Sequence, residues 1–159
     1  MNLYDEFFAL IPYLNKLGVR YAVIGGIAMA FHGRPRFTRD IDVLIHPEDI
    51  DLVRMAFQRL DYRETAAPWT FRSTNLPLHR FLKTAGEEEL MVDILLANTP
   101  EDQQVIAGAV VTEAEAGPVR VAGREDLIRL KASRNSDQDR VDIKGLQDDS
   151  HREGREDAE

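Results

Sequence analysis

The chain has 159 residues, 43% hydrophobic and 30% charged, with a formal net charge of -8 and no cysteine. This length and profile belong to one globular domain, and exclude a disordered chain or two ordinary domains. The missing cysteine excludes disulfides, thiolate metal sites and cysteine nucleophiles, and the negative charge excludes a broad nucleic-acid-coating surface.

No apolar stretch approaches the roughly 20 residues needed to cross a bilayer. The start, MNLYDEFFALIPYLNKLG, has an acidic pair at Asp5 and Glu6 where a secretory signal has basic residues. The expectation is a cytoplasmic protein with no membrane partner, made of a single domain over 1–150 and a polar tail over 151–159.

Leu3, Phe7, Leu10, Ile11, Leu14 and Leu17 recur by threes and fours. That spacing predicts an amphipathic helix over 3–17, ended by Gly18 and capped by Asn2. Pro12 costs about 3 kcal/mol inside a helix, so the segment is either kinked or a short helix followed by a second turn. Val19 to Ile24 reads as a strand, Gly25-Gly26 as a turn, and IAMAFHG as a short buried helix ending at Gly33. A polar link, RPRFTRD, follows.

Asp40 to Ile45 alternates so that Ile41, Val43 and Ile45 face a core, and predicts a strand. Glu48 to Leu60 returns to helical spacing after Pro47. Between Asp61 and Asn75, Trp69 and Phe71 suggest a strand among turn residues. His79 to Leu82 and Leu90 to Leu96 form a predicted hairpin, joined by a loop with Gly86 and three glutamates. Beyond Pro100 come a weak helical or irregular segment to Gly108, a short strand over Val119 to Val121, and a helix opened by Gly123-Arg124-Glu125-Asp126. Asp137 to Leu146 closes the chain as a last helix, with 147–159 frayed. These elements make an α+β, or mixed α/β, domain.

Asp40 and Asp42, two apart on one strand, point to the same face. Paired carboxylates repel, and a divalent cation relieves that repulsion. Magnesium takes one or two carboxylates together with substrate phosphates. Asp93 sits inside MVDILL, where a carboxylate must be paired or bound to metal; beside the Asp40 strand it becomes a third ligand. DxD alone also occurs as solvated strand edge.

Gly25-Gly26 joins a strand to a helix, a setting in which backbone N–H groups receive phosphate, or it is simply a tight turn. Arg36 and Arg39 have planar donors suited to phosphate or acceptor oxygens, or pair with surface acids. Thr38 either caps or binds substrate. Lys131 lies on a mostly apolar helix side, where it snorkels or meets an anion. His32, His46 and His79 are scattered and match no zinc-hydrolase spacing.

Gly25-Gly26, the helix after it, Thr38-Arg39-Asp40-Ile41-Asp42 and the later Asp93 resemble the minimal nucleotidyltransferases of the DNA polymerase β-like superfamily. The likeness is strongest to the toxin- and antitoxin-associated members of the AbiEii and MNT kind, and spans about residues 19–146. It implies a central, mostly antiparallel or mixed sheet flanked by helices, with further helices at the C-terminal end. It implies Mg2+ or Mn2+ on Asp40, Asp42 and Asp93, with Asp93 also deprotonating or orienting the acceptor hydroxyl. It implies a nucleoside triphosphate held by Gly25 and Gly26, with Lys131 pointing back toward it.

The function expected from this likeness is transfer of a nucleoside monophosphate from an NTP to an acceptor hydroxyl, within or outside a toxin–antitoxin system. The acceptor is a protein side chain, a small molecule or an RNA end. Many relatives carry Gly-Ser where this chain has Gly25-Gly26. That departure motivates the alternative of a nucleotide-binding scaffold with weak or no turnover, acting through a protein partner.

Overall fold

Asn2 sets the start of the first helix, α1 (Leu3–Lys16), because its side chain accepts the otherwise unsatisfied N–H groups of Tyr4 and Asp5 at 2.9 and 3.2 Å. Pro12 lies within this helix, which runs on as one unbroken element, with Pro12 on its exposed side and Phe7, Leu10, Ile11 and Leu14 buried. The computed structural model describes residues 1–65, 69–70, 76–134 and 140–148, with the backbone alone at 69–70 and 131–134.

The remaining elements are β1 (Tyr21–Ile24), α2 (Gly25–Phe31), β2 (Asp40–Ile45), a 3-10 turn (Pro47–Asp49) and α3 (Ile50–Arg59). They are followed by β3 (Arg63–Glu64), β4 (Trp69–Thr70), β5 (Pro77–Ala85), β6 (Glu88–Leu96) and α4 (Pro100–Ala107). The chain closes with β7 (Val110–Ala114), β8 (Gly117–Val121), α5 (Arg124–Arg134) and a helical stretch, α6, over 140–148. Phe71, expected beside Trp69, lies outside the described residues.

The strands form one sheet in the order β3-β5-β6-β2-β1-β8-β7, with β4 also on β5. It is mixed: β2 runs parallel to β6 and β1 to β8, and the other pairs are antiparallel. The fold is therefore the expected α+β arrangement of a central sheet flanked by helices, with α5 and α6 at the C-terminal end.

Several elements differ from expectation: α2 takes in Gly25 and Gly26, expected as a turn before it, and β3 was not expected. Glu88 and Glu89 belong to β6 rather than to a loop, because Gly86 (φ 63°) begins a two-residue turn that lets both strands run longer. Strand β7 is unannounced in sequence: its Val110 and Val111 are half exposed, so no buried alternation marks it, and pairing with β8 creates it.

The sheet's two faces have different chemistry. On one, Ile41, Val92 and Phe81 are cross-strand neighbours, and Phe81 stacks on Phe57 of α3 with ring centroids 4.2 Å apart. Helix α1 packs beside α3. Its Glu6 accepts from the Tyr62 hydroxyl at 3.0 Å and from Lys83 Nζ at 3.0 and 3.1 Å, tying it to the β5–β6 hairpin. The opposite face carries the candidate site. No helix among the described residues is long and apolar enough to cross a membrane.

Candidate active site

Register gathers the site. Ile24 on β1 lies opposite Asp42 on β2, Asp42 opposite Asp93 on β6, and Asp93 opposite Arg80 on β5. Cross-strand neighbours share a face, so Asp42, Asp93 and Arg80 stand side by side on strands about 4.8 Å apart. Asp40, two residues before Asp42, projects to that face as well. Parallel pairing of β2 with β6 thus brings together residues far apart in the chain.

The carboxylates differ in environment. Asp40 and Asp42 are partly exposed, whereas Asp93 is 3% exposed. Asp93 is gripped by a fork: Arg80 Nε donates to Oδ1 at 2.9 Å and Nη2 to Oδ2 at 3.2 Å. Such bidentate geometry is the strong form of the arginine–carboxylate contact. Burial raises the pKa of Asp40, the negative charge of Asp93 adds to the rise, and Arg80 and Arg39 oppose it. The Arg80 guanidinium is held charged chiefly by its hydrogen bonds to Asp93, with the charges of Asp40 and Asp42 contributing.

Among the described residues, no group of three or more His, Cys, Asp or Glu side chains is arranged to hold a metal ion. Both oxygens of Asp93 face Arg80. The donor chemistry nevertheless fits a hard divalent cation that draws its remaining ligands from phosphate, since one or two carboxylates are enough for magnesium in that setting.

Both glycines at the turn from β1 into α2, where they are the first two residues of the helix, are required by close approach. Gly25 has φ 72°, in the left-handed region, and a Cβ there would strike the Asp42 carboxylate, 3.1 Å from its Cβ. A Cβ on Gly26 would lie 2.6 Å from Thr38 Oγ1 and 2.7 Å from Thr38 Cβ. The Thr38 side chain therefore fills the space that a serine at position 26 would use, and its hydroxyl stands over the turn. That hydroxyl donates to the Asp40 carbonyl at 3.2 Å, linking the turn to the start of β2.

Among the other sequence candidates, Arg36 faces buried Asp142 on α6, with Nε 3.3 Å from Oδ2, so the ion-pair reading holds for it. Arg39 is exposed, with its guanidinium carbon 5.7 Å from the centre of the Phe37 ring, itself 80% exposed. The Lys131 side chain lies outside the described residues. His32 contacts the Ala122 carbonyl and His79 the Glu64 carboxylate, both at 2.8 Å, on separate elements.

Arg80 is the residue that sequence reading missed. It sits in a strand that the pattern predicts, but only the β5–β6 register aims it at Asp93. The demand of a buried Asp93 for a partner was the one available signal.

Residues 5–155 match the model of a family described as "Nucleotidyl transferase of unknown function (DUF2204)". The chain belongs to that family. Its wider likeness is to the nucleotidyltransferase superfamily, whose fold it shares. The lincosamide antibiotic adenylyltransferase LnuA, solved with lincomycin bound, superposes with a TM-score of 0.60 at 17% identity, over 90% of this chain and 95% of that one. TM1012 from Thermotoga maritima gives 0.60 at 14% identity, over 96% of each chain. The antibiotic-resistance factor ANT(2'')-Ia gives 0.51 at 16% identity, over 99% of each. At these identities the likeness is one of fold. No curated protein matches the chain in sequence.

Proposed function

We propose that this nucleotidyl transferase family member moves a nucleoside monophosphate from an NTP to an acceptor hydroxyl, with release of pyrophosphate. The observation that carries the reading is the cross-strand row of Asp42 and Asp93, with Asp40 beside them and Gly25 packed on Asp42. Asp40 and Asp42 would hold Mg2+ or Mn2+, with Asp93 as the third carboxylate. When bound, the ion neutralises charge on the triphosphate and on the departing pyrophosphate.

The chain's own groups do the rest. Backbone N–H groups at Gly25 and Gly26, the exposed Arg39 and Lys131 receive the phosphates, joined by the Thr38 hydroxyl once it turns from the Asp40 carbonyl. The acceptor oxygen attacks the α-phosphorus, its proton passes to a site carboxylate, and the bond to the β-phosphate oxygen breaks. Asp93 is our candidate for that proton, and it first has to leave Arg80.

The acidic chain favours a protein side chain or a small molecule over an RNA end as acceptor. The adenylyltransferase LnuA offers a precedent of similar length for a small acceptor. Membership of a toxin–antitoxin system rests on the resemblance of residues 19–146 alone. A second reading, a nucleotide-binding scaffold that works through a protein partner, is favoured by one observation, the hold of Arg80 on Asp93.

The test is incubation of wild type and Asp42→Asn with Mg2+, labelled NTPs and cell extract. Transfer of label by wild type is expected to fall at least a hundredfold in Asp42→Asn, and the labelled product identifies the acceptor. Equal transfer by the two proteins, or none by either, sinks the proposal.

A further inference from the structure

With each oxygen accepting from Arg80, Asp93 has fewer lone pairs and less charge to offer a cation. The guanidinium stays charged throughout the physiological range, and it is held on a carboxylate with 4% side-chain exposure. Its field reaches Asp40 and Asp42 as well. A fixed positive charge therefore already offsets one of the three carboxylate charges on this face. A bare divalent cation must compete with the fork for Asp93 and settle beside a guanidinium, which repels it. A cation carried on a triphosphate comes with excess negative charge and offers Arg80 a new anionic partner.

We infer that Arg80 is the built-in counter-cation of this site: it keeps Asp93 closed while nucleotide is absent, so the divalent cation enters together with the triphosphate. The inference rests on the nucleotidyl-transfer reading. It makes Arg80 a positioning residue that acts through Asp93 and sets the order of binding.

Mn2+ alone is the probe, titrated into the full chain without nucleotide and followed by the spin-resonance signal of the free ion. Arg80→Leu is expected to bind Mn2+ at least tenfold more tightly than wild type. Adding Asp93→Asn to it is expected to remove that gain. Arg80→Lys, which keeps the charge and loses the fork, is expected to fall between. Because Arg80→Leu deprives a buried carboxylate of its partner, thermal unfolding is followed in parallel. Its midpoint is expected to drop without Mn2+ and recover with it, while that of wild type stays insensitive. If Arg80→Leu does not fold without the ion, Arg80→Lys carries the comparison, with an expected gain of about threefold.

Affinities equal within twofold across these variants, or a gain that survives Asp93→Asn, overturn the role of Arg80. Label transfer by wild type separates the two readings. Transfer with unchanged Mn2+ affinities leaves the reaction standing and removes Arg80 from it. A Mn2+ gain without any transfer supports the hold on Asp93 and rejects the reaction.

Discussion

At Gly26 a single missing Cβ decides which side chain covers the turn. Thr38 occupies that space, so Gly26→Ser is an overpacking change, and such changes cost about 1–3 kcal/mol. The expected result is a lower urea midpoint with an unchanged slope, largely restored in Gly26→Ser with Thr38→Gly. The glycine that reads in sequence as a departure from Gly-Ser is thus matched to Thr38. Asp40 shows the opposite tension, between stability and use. Its pKa is raised, so the fold favours the protonated form and ionisation opposes folding. That penalty is absent below the ordinary carboxylate value of 3.8 and grows as pH rises through the raised value. Asp40→Asn is therefore expected to unfold at a higher temperature than wild type at neutral pH, with the difference closing in acid, and to lose label transfer. A difference that is flat with pH would contradict this account.

Among the elements, the entry to β1 and the entry to α3 are joined by one buried carboxylate. Asp49 accepts the Arg20 backbone N–H at 2.8 Å and its Nε and Nη2 at 3.0 Å each. The Arg20 side-chain hydrogen bonds are the main reason its pKa is lowered. A lowered carboxylate stabilises the fold above its unfolded value of 3.8, and that contribution disappears as pH falls through the lowered value. Asp49→Ala is expected to cost about 2 kcal/mol at neutral pH, the scale of hydrogen bonds to a charged group. In chemical denaturation the cost should shrink below pH 3.8. Helix α6 is fastened in a related way, by buried Asp142 at Arg36, which anchors the loop that carries Thr38.

Over the whole molecule, a net charge of -8 sets what the surface repels. Counterion release, which drives non-specific nucleic-acid binding, needs clustered cations. Here Arg20, Arg54 and Arg80 face carboxylates. No retention of bulk RNA is expected on a filter at about 0.15 M salt, the physiological ionic strength; binding that weakens steeply with added salt would reopen an RNA acceptor.

Much of this architecture was legible in the chain. The alternation of Asp40 to Ile45, the helical spacing of Leu3 to Leu14 and the paired runs around Gly86 each have a local cause in periodicity, capping or turn chemistry. They place α1, β2, β5 and β6, and they set Asp40 and Asp42 on one face. Strand β7 has no such cause, since its half-exposed valines carry no pattern and only β8 gives it a partner. The family follows from the motif residues and the matched chain. What tertiary structure alone decided is the neighbourhood of Asp93. Parallel pairing of β2 with β6 sets it beside Asp42, and antiparallel pairing of β5 with β6 sets Arg80 on it. Both follow from long-range register, which a local pattern cannot encode, because a shift of one residue turns every side chain of a strand to the other face.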